Sequence, residues 1–293
     1  MDSILNSVMK INKMNSLNRI FTRNMLRLFI DGKENEVYSA VIRRYINNTE
    51  QKNNQQLISE IYSILKKNYR NEYFYKNTLL NKLLLGVHSV NTTTALTEVA
   101  IAKSKADFVL INGKAVVYEI KTELDNLERL NSQLEDYYKA FDHVAVVTYE
   151  KNLLQLQKIL EFVDKPVGIY VLRRNGSLGM IREPGMYRES LDKEIIFKLL
   201  RKNEYEKIIQ KYGELPQVTQ FKYYSACKEE FFKIPIEESY IEVLKVLKER
   251  MQIVKEEFVK VPYELRFLAY FMDLKIEDYQ KLEYFLECKY EGA

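Results

Sequence analysis

Apolar positions along this chain follow two different spacings. Over residues 1 to about 90 they recur at helical intervals with few glycines, which predicts helices over 4–31, 36–48, 53–68 and 72–86. Gly86 stands where a helix C-cap is expected. The polar run Asn91-Thr92-Thr93-Thr94 then reads as a loop into a short helix from about 94 to 103, carrying Glu98. Beyond it the spacing tightens to short apolar runs, and strands are predicted over 106–111, 115–121, 143–148, 167–172 and 178–182. Between the second and third of these lies a helix over 125–141. Asp125 with Glu128 opens it in the manner of a capping box, and Leu127, Leu130, Leu134, Tyr138 and Phe141 make its buried stripe. A further helix, 150–163, fills the next gap. From Leu191 onward Lys/Glu-laced helices are predicted over 191–211, 237–260 and 263–290, with Pro216, Pro235 and Pro262 between them or at their starts.

The expected fold class is therefore α/β (α+β): a mixed β-sheet core with helices packed on it, between helical N- and C-terminal regions. The expected parts are residues 1–90, 91–188 and 189–293. Composition alters this little. A chain of 293 residues with 46% hydrophobic and 29% charged residues has the make-up of a folded globular protein. The absence of an 18-residue apolar run, with Asp2, Asn6 and Ser7 at the start, argues against a membrane span or signal peptide, and a cytoplasmic protein follows by default.

Charge and metal-binding residue types narrow the chemistry further. Two cysteines, Cys227 and Cys288, and two histidines, His88 and His143, are too scattered for zinc or an iron–sulfur cluster. Any metal must then be held by carboxylates, which points to Mg2+ or Mn2+. The net charge of +4 equals that of the first 30 residues, where Lys10, Lys13, Arg19, Arg23 and Arg27 face only Asp2. On one helix Arg19, Arg23 and Arg27 would form a basic face opposite Leu17, Ile20 and Leu28, suited to phosphates or simply to water.

The segment ADFVLINGKAVVYEIK, 106–121, concentrates the chemistry. It reads as a hairpin whose open end carries Asp107, Glu119 and Lys121. Charge is rare at such a place, because a buried carboxylate must be paired, neutralised or bound to a metal. Two carboxylates about 4 Å apart repel by roughly 4 kcal/mol at an effective dielectric of 20, and a divalent cation relieves this. Lys121, two residues past Glu119, shares its face and can orient a water or offset phosphoryl charge. The turn decides whether Asp107 joins them. A two-residue loop at Asn112-Gly113 would send Glu119 to the opposite face. A three-residue loop, Ile111-Asn112-Gly113, with Gly113 left-handed, pairs Asp107 with Val117 and keeps all three together. Downstream, Arg129, Gln133 and Tyr137 are four apart on a helix face of their own, placed to hold the lysine, a water or a phosphate.

Taken together, Glu98, Ala106-Asp107, Glu119-Ile120-Lys121 and Gln133-x-x-x-Tyr137 resemble the PD-(D/E)XK nuclease superfamily, in the branch with a trailing QxxxY motif found in RecB-type and phage-exonuclease-type domains. The match covers about 95–150. The resemblance implies a restriction-endonuclease-like core in which Asp107, Glu119, the Ile120 carbonyl and Glu98 bind metal. It also implies that Lys121 positions the nucleophile and that Gln133 and Tyr137 support the site. Ser104 stands where such proteins often have glycine. The bare acid-x-Lys pattern occurs five times in this chain, so only the constellation has weight. The expected activity is metal-dependent phosphodiester hydrolysis, with DNA favoured over RNA by the resemblance alone. The helical flanks would grip nucleic acid or form a homodimer contact. The alternatives are a non-catalytic nucleic-acid-binding protein with a nuclease-like core and an assembly protein in which the hairpin is structural.

Overall fold

A computed structural model describes residues 16–33, 35–86 and 92–290. It divides into two units, one formed by residues 1–86 with 252–293 and the other by residues 87–251. His88, Lys10 and Lys13 lie outside the described residues.

The second unit is built on a six-stranded mixed sheet in sequence order. Its strands are β1 (Thr94–Ile101), β2 (Ser104–Asn112), β3 (Lys114–Ile120), β4 (His143–Tyr149), β5 (Gly168–Leu172) and β6 (Leu178–Arg182). The β3–β4 and β4–β5 pairs are parallel, and the others are antiparallel. Parallel neighbours need a crossover. These are supplied by α1 (Leu130–Tyr138) and α2 (Leu153–Leu160), and α3 (Lys193–Lys198), α4 (Lys202–Ile209), α5 (Gln220–Lys233) and α6 (Ile236–Lys248) complete the unit. The mixed α/β class expected from the sequence is the class observed.

Alternation along each strand assigns the faces. Val109, Ile111, Ala115, Val117, Val144 and Val146 are buried in one core with Leu130, Leu134, Tyr137, Tyr138 and Phe141 from α1 and the turn that follows it. Val243, Val246 and Leu247 of α6 join the same core. Burying one such leucine is worth about 1.5–3 kcal/mol, so the stripe on α1 is what fixes this short helix to the sheet.

Three local expectations need correction. Residues 94–101 form a strand rather than a helix, pairing with β2 from Thr94–Ile111 to Ile101–Ser104. Thr94, Thr97, Val99 and Ile101 lose side-chain freedom in a helix and suit a pleated surface. Pairing also covers the β2 edge, which would otherwise leave its N–H and C=O groups open. Secondly, the helix expected from Asp125 begins at Leu130. Asp125 instead turns back, its Oδ2 accepting from the Thr122 amide (2.8 Å) and hydroxyl (2.6 Å). Thirdly, α5 was not anticipated. Its sequence, QFKYYSACKEEFFK, buries only Cys227 and Phe231, four residues apart, so it carries almost no stripe.

In the first unit, helices Arg23–Ile30, Glu36–Tyr45, Asn54–Asn68 and Glu72–Leu79 are followed by a π turn at Leu80–Leu84. The long first helix is interrupted at residues 21–22, where the Thr22 hydroxyl caps Arg23–Ile30 by accepting from the Met25 amide at 3.2 Å. Arg19, Arg23 and Arg27 therefore do not share one continuous helical face. Arg19 and Arg23 are exposed, and Arg27 is paired with Asp278 at 2.9 Å. Tyr73, Phe74 and Tyr75 are buried core residues.

The expected C-terminal part, 189–293, is shared between the units. Residues up to Met251 go with the sheet, and those from Gln252 go with the N-terminal helices. There Phe285 of the helix Ile276–Glu287 stacks on Phe29 with ring centres 4.6 Å apart, and Asn53 bridges to Lys289. Both cysteines are free thiols. No described helix is long and apolar enough to cross a membrane.

Candidate active site

The β2–β3 turn is tighter than expected. Asn112 pairs with Lys114 around Gly113, which takes φ +72°, and the ladder runs to Phe108–Tyr118. The next register position sets Asp107 opposite Glu119, not Val117. Because this register differs from the expected one by two positions, the faces are unchanged and Asp107, Glu119 and Lys121 do share a side. In β1, Glu98 falls between the pairs Thr97–Phe108 and Val99–Ala106, which places it beside Asp107. Three acids thus stand at one level on three adjacent strands.

Their surroundings differ. Glu119 is 2% exposed and Lys121 is 7% exposed. The Lys121 Nζ lies 2.8 Å from Glu119 Oε1 and donates to Gln133 Oε1 at 2.8 Å. Gln133 Nε2 donates to the same Glu119 oxygen at 2.5 Å, and the Tyr137 hydroxyl donates to Oε2 at 2.5 Å. Gln133 and Tyr137, four apart on α1, therefore close on Glu119 and Lys121. Burial, and next to it the Glu119 carboxylate, push the Tyr137 phenol far above its ordinary pKa, so it acts as a donor throughout the accessible pH range.

Asp107 is half-buried, and its Oδ2 accepts the Ile120 amide at 2.8 Å, continuing the ladder by side chain where backbone pairing stops. One oxygen of Glu98 and one of Asp107 lie within 4.8 Å of each other, a separation that a shared cation would favour. Glu119, occupied by α1, offers no oxygen within that distance of both. Glu98 is exposed, takes φ +57° and pairs with Lys105 at 2.5 Å. A glutamate in the left-handed region costs on the order of 1–3 kcal/mol, a strain that clusters at functional positions. Arg129 is exposed immediately before α1 rather than on its face.

Two site residues escaped the sequence reading. Lys105 gave no signal beyond its place on a strand. Asp136 is 6% exposed and binds the β1–β2 turn: its Oδ2 accepts from the Ser104 hydroxyl at 2.8 Å and the Lys103 amide at 3.2 Å. Its position was the available clue, since an acid in the last turn of a helix opposes the helix dipole unless something else holds it.

Protein cII of Enterobacteria phage P4 is 26% identical to this chain over 146 residues, which cover 48% of the chain and 50% of that protein. The chain thus spans about half the length of the curated relative it matches. A solved structure, the SPO1766 protein of unknown function from Silicibacter pomeroyi, aligns over 42% of this chain and 84% of that one at 11% identity. Its TM-score of 0.28 is too low to bear on the fold. The model of the family described as bacteriophage P4 protein cII matches residues 65–269, a span that takes in the whole sheet and the acidic row. The chain belongs to the bacteriophage P4 protein cII family.

Proposed function

We propose that this protein is a divalent-cation-dependent phosphodiesterase acting on nucleic acid, with DNA the preferred substrate and a PD-(D/E)XK-like site. The observation that carries this reading is the row Glu98–Asp107–Glu119, with Lys121 next to it on the same face. Like charges at directly opposed strand positions are destabilising; Lys105 and Lys121 offset part of this repulsion, and a shared cation would offset the rest.

The donor set suits Mg2+ or Mn2+, which prefer oxygen ligands. Glu98 and Asp107, whose oxygens already lie within 4.8 Å of each other, would hold the ion, with Glu119 and the Ile120 carbonyl joining them only on a closer approach than the structure shows. Glu119 retains capacity for this, since Oε2 accepts one hydrogen bond in the structure and has a second lone pair. A bound dication would acidify its water and offset charge on the phosphate. The protein groups do the rest. Lys121, desolvated beside Glu119, presents an ammonium that orients a water or neutralises the phosphoryl oxygens. Gln133 fixes the lysine and the carboxylate relative to each other, Tyr137 fixes the carboxylate from the far side, and exposed Arg129 is available to a backbone phosphate.

The test is incubation of the purified chain with duplex DNA, single-stranded DNA and RNA, in Mg2+, Mn2+ or EDTA. Cleavage should require the metal, favour DNA, and fall by at least about 100-fold in Asp107→Ala and Lys121→Ala. A Lys121→Ala variant as active as wild type removes the assignment. One observation favours a second reading, a non-catalytic nucleic-acid-binding core: both Glu119 oxygens already have protein donors. DNA binding without cleavage, unchanged in Asp107→Ala, is its signature.

A further inference from the structure

We infer that Asp136 is a positioning residue for the proposed metal site, setting the distance of Glu98 and Asp107 from Glu119. The inference rests on the metal-site reading above and adds to it a residue outside the acid row, the lysine and the Gln133/Tyr137 pair.

Glu98 and Asp107 are carried by one hairpin, β1–β2, paired along its length. Glu119 is carried by β3 and held by α1 through Gln133 and Tyr137. Between Phe108–Tyr118 and the β1–β2 turn no backbone pair joins β2 to β3; the Asp107 carboxylate crosses to the Ile120 amide, and the strand end beyond it is held in place by other ties. The last turn of α1 supplies the tie. Asp136 accepts from Ser104 and Lys103 at the turn, and the next residue, Tyr137, places its hydroxyl 3.0 Å from the Lys105 carbonyl while bonding Glu119. Ser104 lies three residues before Asp107 and pairs with Ile101, three residues after Glu98. A single helical turn thereby clamps the strand end bearing two acids to the strand bearing the third. Asp136 touches none of the acids, so its effect passes through backbone position. Lys139, 2.8 Å from Asp136 Oδ1, supplies charge balance rather than geometry.

Isothermal titration of the full chain with MnCl2 alone, without nucleic acid, tests this. Asp136→Ala should weaken Mn2+ binding by about 10-fold, the low end of the range for groups bonded directly to metal ligands, because Asp136 acts one step further out. Asp136→Asn keeps an oxygen acceptor for Lys103 and Ser104 and should stay within about 3-fold of wild type, as should Lys139→Ala; Ser104→Ala, which removes one bond only and leaves the helix intact, should fall between. Far-UV circular dichroism at the titration temperature establishes that each variant is folded, and Ser104→Ala carries the test if Asp136→Ala is not. Wild-type affinity in Asp136→Ala and Ser104→Ala overturns the inference, as does equal weakening by Asn and Ala at 136, which would make charge the cause. No Mn2+ binding by wild type overturns the metal reading itself, and this inference with it.

Discussion

Removing Lys121 should show how strongly the buried pair with Glu119 is coupled. Both side chains are nearly inaccessible to solvent, and the ammonium reaches two acceptors, Glu119 Oε1 and Gln133 Oε1, each at 2.8 Å. In Lys121→Met the carboxylate keeps Gln133 and Tyr137 as donors but loses its counter-charge. Breaking a buried pair in this way costs about 3–5 kcal/mol, most of it the penalty of an uncompensated charge. Glu119→Gln should cost a similar amount by stranding the ammonium. The double variant strands neither, and replacement of a buried pair by neutral groups of similar volume is often close to neutral. A cost of about 1–2 kcal/mol is therefore expected for it, with a coupling energy of at least about 3 kcal/mol. For a unit of this size the single variants should melt roughly 6–20 °C lower. Urea unfolding of all four proteins in EDTA, followed by circular dichroism, measures the cycle. Additivity within about 0.5 kcal/mol would show that the two charges do not depend on each other, and the electrostatic account of the site would fail.

Other outcomes are expected elsewhere in the sheet unit. Asp142, at 2% exposure, accepts from His143 Nδ1 (2.8 Å), the Tyr240 hydroxyl (2.7 Å) and Arg188 Nε (3.0 Å). Burial alone would raise its pKa, but the bonds from His143, Tyr240 and Arg188 outweigh that and hold it below the usual carboxylate range. A depressed carboxylate contributes stability that is complete above the unfolded value, near 4, and is lost as pH falls through the folded one; thermal melts of wild type should therefore drop below about pH 4, and Asp142→Asn should flatten that drop. Arg250 grips both Glu204 oxygens at 2.6 Å and also the Leu199 carbonyl, so Arg250→Lys should destabilise by about 1–3 kcal/mol in urea, and a change under 0.5 kcal/mol would count against the forked contact. Gly113→Ala meets no atom within 4 Å but must hold φ +72°, so a loss of about 1 kcal/mol is expected from backbone strain alone.

The parts legible in the sequence were those whose signal is local. Apolar runs flanking Asn112-Gly113 mark the β2–β3 hairpin, continuous apolar runs mark β4 and β5, and spacing by two or four puts Lys121 beside Glu119 and Gln133 beside Tyr137. β1 was not legible because what makes it a strand is its partner. TALTEVAI is short and ends in Ala102-Lys103, a turn without glycine, asparagine or proline, so only the seven pairs to β2 decide it. The hairpin register was misjudged for a related reason: face depends on parity, which the turn residues reveal, but alignment depends on contacts several residues away. Asp136 and Asp142 are acids with partners from other segments, Ser104 in one case and Tyr240 and Arg188 in the other; the place of Asp136 in a last helical turn hints that something holds it, but neither neighbourhood says what. The division of the C-terminal helices was hidden because an apolar stripe, where a helix has one, does not say against which surface it will be buried.

The path of the backbone has a consequence for synthesis. Residues 87–251 are contiguous, so every strand and helix of the sheet unit has been synthesised before the chain reaches Gln252. The first unit is different, because Phe29, Tyr38 and Asn54 find Phe285 and Cys288 only when the final helix emerges. Its N-terminal helices must wait, incompletely covered, while more than half of the protein is made. A chain truncated after Met251 and released from the ribosome should accordingly display a protease-resistant sheet unit behind a susceptible N-terminal segment.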